Sequence, residues 1–83
     1  MQQKHEIAAR EAKEIGAAVL RARKSLGLRQ DELALAAGVS TRAIHQIEHG
    51  KPTSRLDSIT PVLDVLGLRL RVEDRVPTVP TGR

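Results

Sequence analysis

The 83-residue chain contains no cysteine and no phenylalanine, tyrosine or tryptophan. Without cysteine there is no disulfide, no thiolate nucleophile and no thiolate metal site. Without aromatic faces the chain lacks the platforms on which single-stranded DNA and RNA bases stack. The core must then be built from Leu, Ile, Val and Ala, which favours small helices with close backbone approach. Nor does any apolar run approach the ~20 residues of a membrane span, and no signal-peptide h-region follows the first residues. No membrane association is expected, and a cytoplasmic location is. A chain of this length makes one small domain, which buries only about 60% of its unfolded surface. What is plentiful is positive charge: net +4, pI near 10.4, and ten arginines among fourteen cations. That balance fits a polyanionic partner.

His5 to Leu26 reads as one helix or two abutting ones, with Ile15, Ala18, Val19, Ala22 and Leu26 at helical spacing and Gly27 as its stop. Residues 1–14 form an N-terminal helical extension, in which Ile7, Ala8 and Ala12 either continue that stripe or belong to a solvated, partly frayed segment. A second helix is expected over Gln30 to Ala37 and a third over Thr41 to His49. The turn between them carries Gly38, suited to positive φ, and Ser40, a hydroxyl able to cap the next helix. Two helices joined by about 3–4 residues containing Gly are the arrangement of a DNA-reading helix-turn-helix. After a loop from His49 to Ser54, Leu56, Ile59, Val62, Leu63 and Leu66 mark a fourth helix, ended by Gly67. Pro61 lies inside it; in mid-helix it would cost roughly 3 kcal/mol. The helix is therefore expected either to start late, capped near Asp57 or Ser58, or to kink.

Leu68, Leu70 and Val72 alternate with Arg69, Arg71 and Glu73, the pattern of a half-buried strand, here assigned to residues 68–74. No other segment reads as a strand, so its ladder groups have no partner within the chain. The economical partner is the same strand of a second copy, paired antiparallel about a two-fold axis in a homodimer. Arg69, Arg71 and Arg75 make a basic stripe on its outer face, read either as a solvated edge or as a contact to DNA or an acidic partner. Residues 75–83, rich in Pro, are expected to be disordered.

On the third helix the outward face is Thr41, Arg42, His45 and Gln46, with His49 at the end. Arg suits bidentate contact with guanine, Gln with adenine, and Thr either a base edge or a thymine methyl; the bland reading is a solvated polar face. Gln30, at the start of the second helix, is placed to meet a phosphate at free N–H groups. Lys51, Thr53 and Arg55 in the following loop are the matching anchors, and Arg42 can serve either role. His45-Gln46-Ile47-Glu48-His49 also matches His-x-x-Glu-His, a zinc-protease motif. A catalytic zinc needs a third ligand, a cleft and a free Glu, which so small a chain is poorly equipped to supply, so no enzyme, cofactor or metal is expected.

The pattern Leu26-Gly27-Leu28-x-Gln30-x-x-Leu33-Ala34-x-x-Ala37-Gly38-Val39-Ser40-x-x-x-Ile44-x-x-Ile47-Glu48-x-Gly50-Lys51-x-Thr53 resembles the Xre family, the phage-repressor and Cro-type helix-turn-helix group. The resemblance runs from about Ile15 to Leu66, with the domain taken as 15–67. It departs at Arg29, where the family usually has a capping Thr or similar residue, and at Pro61. It implies a mainly α, four- to five-helix lambda-repressor-like DNA-binding domain, here followed by a short C-terminal β-strand. It further implies base reading by Thr41, Arg42 and Gln46, and a structural bridge from Arg23 to the Glu48 of Ile-Glu-x-Gly. Gly67-Leu68-Arg69-Leu70-Arg71-Val72 directly after the domain is similar to HipB-type antitoxins. In those the strand forms an intersubunit sheet, and the dimer represses its own operon and binds a toxin, often a HipA-like kinase. The expected function is thus a sequence-specific repressor of double-stranded operator DNA and the antitoxin of a type II toxin-antitoxin operon. A stand-alone phage or host regulator is the alternative. A protein-interaction adaptor is the rival from another class, but it would more often carry apolar residues where Thr41, Arg42 and Gln46 stand.

Overall fold

In the computed structural model, which describes residues 2–79, four helices follow one another: α1 (Gln2–Ser25), α2 (Gln30–Ala37), α3 (Thr41–Glu48) and α4 (Leu56–Val65). The core is entirely aliphatic. Val19 from α1, Leu33 and Ala34 from α2, Ile44 and Ile47 from α3, and Ile59, Val62 and Leu63 from α4 are buried together with Leu66. No polar or charged residue is buried outright among the described residues. α1 is unbroken from Gln2, so the N-terminal extension and the domain's first helix are one element. Ala8 and Ala12 are half-buried and continue the apolar stripe, whereas Ile7 is exposed and stands outside it.

Glycine fixes where α1 and α3 cross. Gly16 is buried in mid-helix, and a Cβ there would run into the Ile47 carbonyl oxygen and lie 2.9 Å from that of Glu48. Only a residue without a side chain lets the two backbones meet so closely, which outweighs the poor helix propensity of Gly.

The α2–α3 turn forms as its sequence suggests. Gly38 adopts φ 72°, ψ 30°, and Val39 N–H donates to Ala34 O at 3.0 Å, closing the end of α2. Ser40 Oγ accepts from Ala43 N–H at 3.0 Å and caps α3. Arg29 precedes α2 where a Thr-like cap is usual. Its side chain has only donors, so α2 is capped from the other direction: Glu32 reaches back and its Oε1 accepts Arg29 N–H at 2.8 Å.

Two expectations are corrected. Leu26 and Leu56 are exposed rather than part of the core stripe, because each sits at a helix end where the chain has turned away from the packed face. Of the two expectations for α4, the late start with a cap near Asp57 or Ser58 is corrected: the helix begins at Leu56 with Arg55 as its N-cap and runs through Pro61 to Val65. Pro61 is therefore the sixth helical residue, and the bond it cannot make is the one to Asp57 O, in the solvent-exposed first turn.

Among the described residues no strand is found. Leu68 N–H donates to Leu63 O at 2.8 Å, and Leu68 packs on the core. Leu70 is 39% exposed and Val72 fully so. A ladder needs a second row of N–H and C=O groups, and the described residues supply none beside residues 68–74. Residues 80–83 of the Pro-rich tail and Met1 lie outside the described residues.

Candidate nucleic-acid interface

α3 presents two contrasting faces. Ile44 and Ile47 are buried against the other helices, while Thr41, Arg42, His45 and His49 are exposed and Gln46 is half-buried. This brings the four sequence-predicted base-reading residues, Thr41, Arg42, His45 and Gln46, onto the outward side of one short helix. The spacing explains it: Ile44 and Ile47 are three apart, and their stripe leaves positions 41, 42, 45, 46 and 49 on the remaining arc. At the end of that arc the rings of His45 and His49 lie 4.0 Å apart between centroids, tilted by 34°. His49 Nδ1 donates to His45 O at 2.8 Å, closing the helix end.

The helix is mounted through Glu48. Arg23 Nε donates to Glu48 Oε2 at 2.6 Å and Arg23 Nη2 to Glu48 Oε1 at 3.0 Å, a fork-on-fork pair. Arg23 Nη1 donates to Leu28 O at 2.8 Å, so one guanidinium joins α1, the α1–α2 turn and α3. The side chains of Arg23 and Glu48 are 11% and 3% exposed. Burial pushes the Glu48 carboxyl up, but the hydrogen bonds from Arg23 and Gln30 and the Arg23 charge prevail, leaving it below its ordinary value. The same pairing raises Arg23 further above its ordinary range against the opposing effect of burial. Glu48 is thus a fixed carboxylate with its oxygens occupied by donors, not the free base that a zinc-protease motif requires. Among the described residues, no three His, Asp or Glu side chains cluster in a way that suits a metal.

Sequence reasoning missed the second holder of Glu48. Gln30 Nε2 donates to Glu48 Oε1 at 2.9 Å, so its side chain is directed inward, a contact separate from the helix-start N–H groups on which its phosphate expectation rested. Its backbone N–H remains at the α2 N-terminus. The hint lay in the amide itself, since a buried carboxylate with two oxygens has more lone pairs than one Arg fills.

The predicted loop anchors differ from one another. Lys51 and Thr53 are exposed, and among the described residues Lys51 and Arg42 take part in no ion pair. Arg55 is engaged: its Nη2 lies 2.8 Å from Asp57 Oδ2 and its Nε 2.9 Å from Asp57 Oδ1. That hydrogen-bonded pairing lowers the Asp57 carboxyl and raises Arg55. Arg29 is held in the same way by Asp31, with Nε 3.0 Å from Oδ1. The cations left open around α3 are therefore few and definite. Gly50, at φ 72°, lets the chain turn out of α3 while lying against α1: a Cβ there would be 3.0 Å from Lys13 Cγ and 3.1 Å from Lys13 Cα.

Residues 19–72 match the sequence profile of a family described as helix-turn-helix. Over 59 residues, 71% of this chain and 78% of the relative, the sequence is 46% identical to y4mF of Sinorhizobium fredii, named an uncharacterized HTH-type transcriptional regulator.

Proposed function

The chain belongs to the Xre-type helix-turn-helix family, and on that premise we propose that it is a DNA-binding transcriptional regulator, acting as a homodimeric repressor that reads an operator with α3. The observation that carries this reading is the polar arc of Thr41, Arg42, His45 and Gln46 on a helix whose far side is locked by Glu48, Arg23 and Gln30. A major groove about 12 Å wide admits such a helix, and a fixed mount lets side chains meet base edges without a large ordering cost. Lys51 and Thr53 flank the arc as backbone anchors, with the α2 N-terminus on the other side. Arg55 takes part only by exchanging Asp57 for a phosphate.

The homodimer is supported by residues 68–72. Leu68 is anchored on the core while Leu70 and Val72 are left open, which suits pairing with a second copy. Two copies of α3 would then reach half-sites about 34 Å apart. The same segment supports the finer reading, an antitoxin that represses its own operon and binds a toxin such as a HipA-like kinase. A mobility-shift titration with the gene's own upstream DNA tests the repressor reading: tight, sequence-dependent binding is expected, and equal affinity for random duplex would remove sequence-specific repression. Co-purification with the tagged product of the adjacent gene tests the antitoxin reading, and its absence at micromolar concentrations of both proteins would leave a stand-alone regulator.

A further inference from the structure

We infer that Lys13, on the N-terminal half of α1, is a DNA-backbone contact that extends the footprint of α3 beyond the helix-turn-helix itself. This rests on the DNA-reading role proposed for α3. Lys13 precedes the family match, which begins at residue 19. Its stem lies over Gly50, one residue past His49, where the exposed arc of α3 ends, and one residue before Lys51. The close approach of α1 and α3 at Gly16 holds it there, because Gly16 and Lys13 are one turn apart on the same helix.

Glu14 lines the groove that α1 forms with Leu68, Arg69 and Leu70. Glu11 lines that groove and also the cavity beside Lys51 and Pro52, but forms no ion pair with either lysine. Arg10, one turn before Lys13, is drawn to Glu11 at 3.6 Å. Lys13 itself is exposed and takes part in no ion pair among the described residues. Arg29 and Arg55, by contrast, already hold carboxylates. Lys13, whose stem lies against Gly50, and Lys51, the next residue, are thus two lysines outside any ion pair rooted at one end of α3, and an anion running past that end can satisfy both. A duplex read by α3 supplies such an anion, with one phosphate per 3.4 Å of each strand.

A purely structural role for Lys13 is also chemically reasonable, since a cation near a helix C-terminus stabilises its exposed carbonyls. The two roles separate cleanly. DNA affinity of the full chain is measured against salt for the unaltered protein, Lys13→Gln, Lys13→Arg and Arg42→Ala. The duplexes are the gene's own upstream DNA and a random sequence of equal length, and thermal midpoints are recorded alongside. Lys13→Gln should lower the log–log salt slope by about one for each bound protomer and weaken both duplexes about fivefold per protomer at 0.15 M salt. Lys13→Arg should restore both, with the thermal midpoint of Lys13→Gln unchanged. An unchanged slope in Lys13→Gln overturns the inference, and a lowered midpoint beside it assigns Lys13 to the α3 terminus instead. If the unaltered protein binds the upstream DNA and Arg42→Ala weakens that binding, an unchanged slope in Lys13→Gln counts against Lys13 alone. If the unaltered protein binds neither duplex, the reading of α3 falls and takes this inference with it.

Discussion

Removing the Glu48 carboxylate is the severest test of how α3 is held. Glu48→Ala deletes three hydrogen bonds, at 2.6, 2.9 and 3.0 Å, and leaves the Arg23 guanidinium, 11% exposed, with Leu28 O as its remaining partner. An uncompensated buried charge of this kind costs about 3–5 kcal/mol. A domain of this length has only about 4–12 kcal/mol in total, at roughly 0.05–0.15 kcal/mol per residue. The variant should therefore unfold at a far lower urea concentration, or not fold at all. The double variant Arg23→Met/Glu48→Leu keeps the volume and removes both charges, and should lie within about 2 kcal/mol of the unaltered protein. Equilibrium urea unfolding of the unaltered chain, Arg23→Met, Glu48→Leu and the double variant gives the coupling energy. A cost below about 1 kcal/mol for Glu48→Ala, or a coupling near zero, would refute the reasoning.

The same site makes a signed prediction for pH. The folded Glu48 carboxyl lies below its unfolded value, so the folded state favours the ionised form. Its contribution is complete above the unfolded carboxylate value, about 4.3, and is lost as pH falls through the lower folded value. Arg23 is raised, so its contribution is present throughout the range below its unfolded value and leaves the acid limb to the carboxylates. Stability of the unaltered chain should thus fall with acid more steeply than that of the Arg23→Met/Glu48→Leu variant. Parallel acid limbs would contradict it.

Three further outcomes are expected. Arg42→Ala or Gln46→Ala should cost about 1–3 kcal/mol on the operator and relax preference at single base pairs, whereas Lys51→Ala should weaken operator and random duplex alike; titration of base-substituted duplexes distinguishes them. Gly16→Ala should destabilise by about 1–3 kcal/mol in chemical unfolding through its clash with the Ile47 carbonyl, although Ala is the better helix former; a stabilised variant would show that α1 and α3 do not cross there. Leu70→Lys should raise the monomer fraction in sedimentation, and a monomer of the unaltered protein at tens of micromolar with full operator affinity would remove the two-fold pairing of residues 68–72.

What could be read from the sequence follows from the range of the forces involved. Helix ends are local, and Gly27, Gly38, Gly50 and Gly67, each at positive φ, stop the helices or turns where they stand in the sequence. Periodicity placed Val19, Ile59, Val62, Leu63 and Leu66 inside. It failed at Leu26 and Leu56, because a 3.6-residue repeat does not say where a helix leaves its neighbour. The cap of α4 at Arg55 escaped for a related reason: position in the chain, not the capping power of Asp57 or Ser58, decided it. Gln30 was read by the free N–H groups of its helix start, but its amide found a nearer acceptor across eighteen residues of sequence. Non-local polar contacts carry no periodic signature, and the only available signal for a second donor was that one Arg does not fill the lone pairs of a carboxylate.

Residues 68–72 invert that lesson. Their alternation is among the clearest local signals in the chain, yet no strand forms in the isolated fold. The pattern specifies two faces, and the single chain accounts for one residue of the apolar face, Leu68. Leu70 and Val72 would gain about 25 cal/mol per Å² on burial, and the free N–H and C=O groups beside them would gain partners in the same step. α3 would gain as well, because a second copy held by this segment would bring a second recognition helix at no further translational cost. On the proposed pairing, a segment that is under-used in folding would supply what the proposed DNA reading lacks, which is the geometry linking two half-sites.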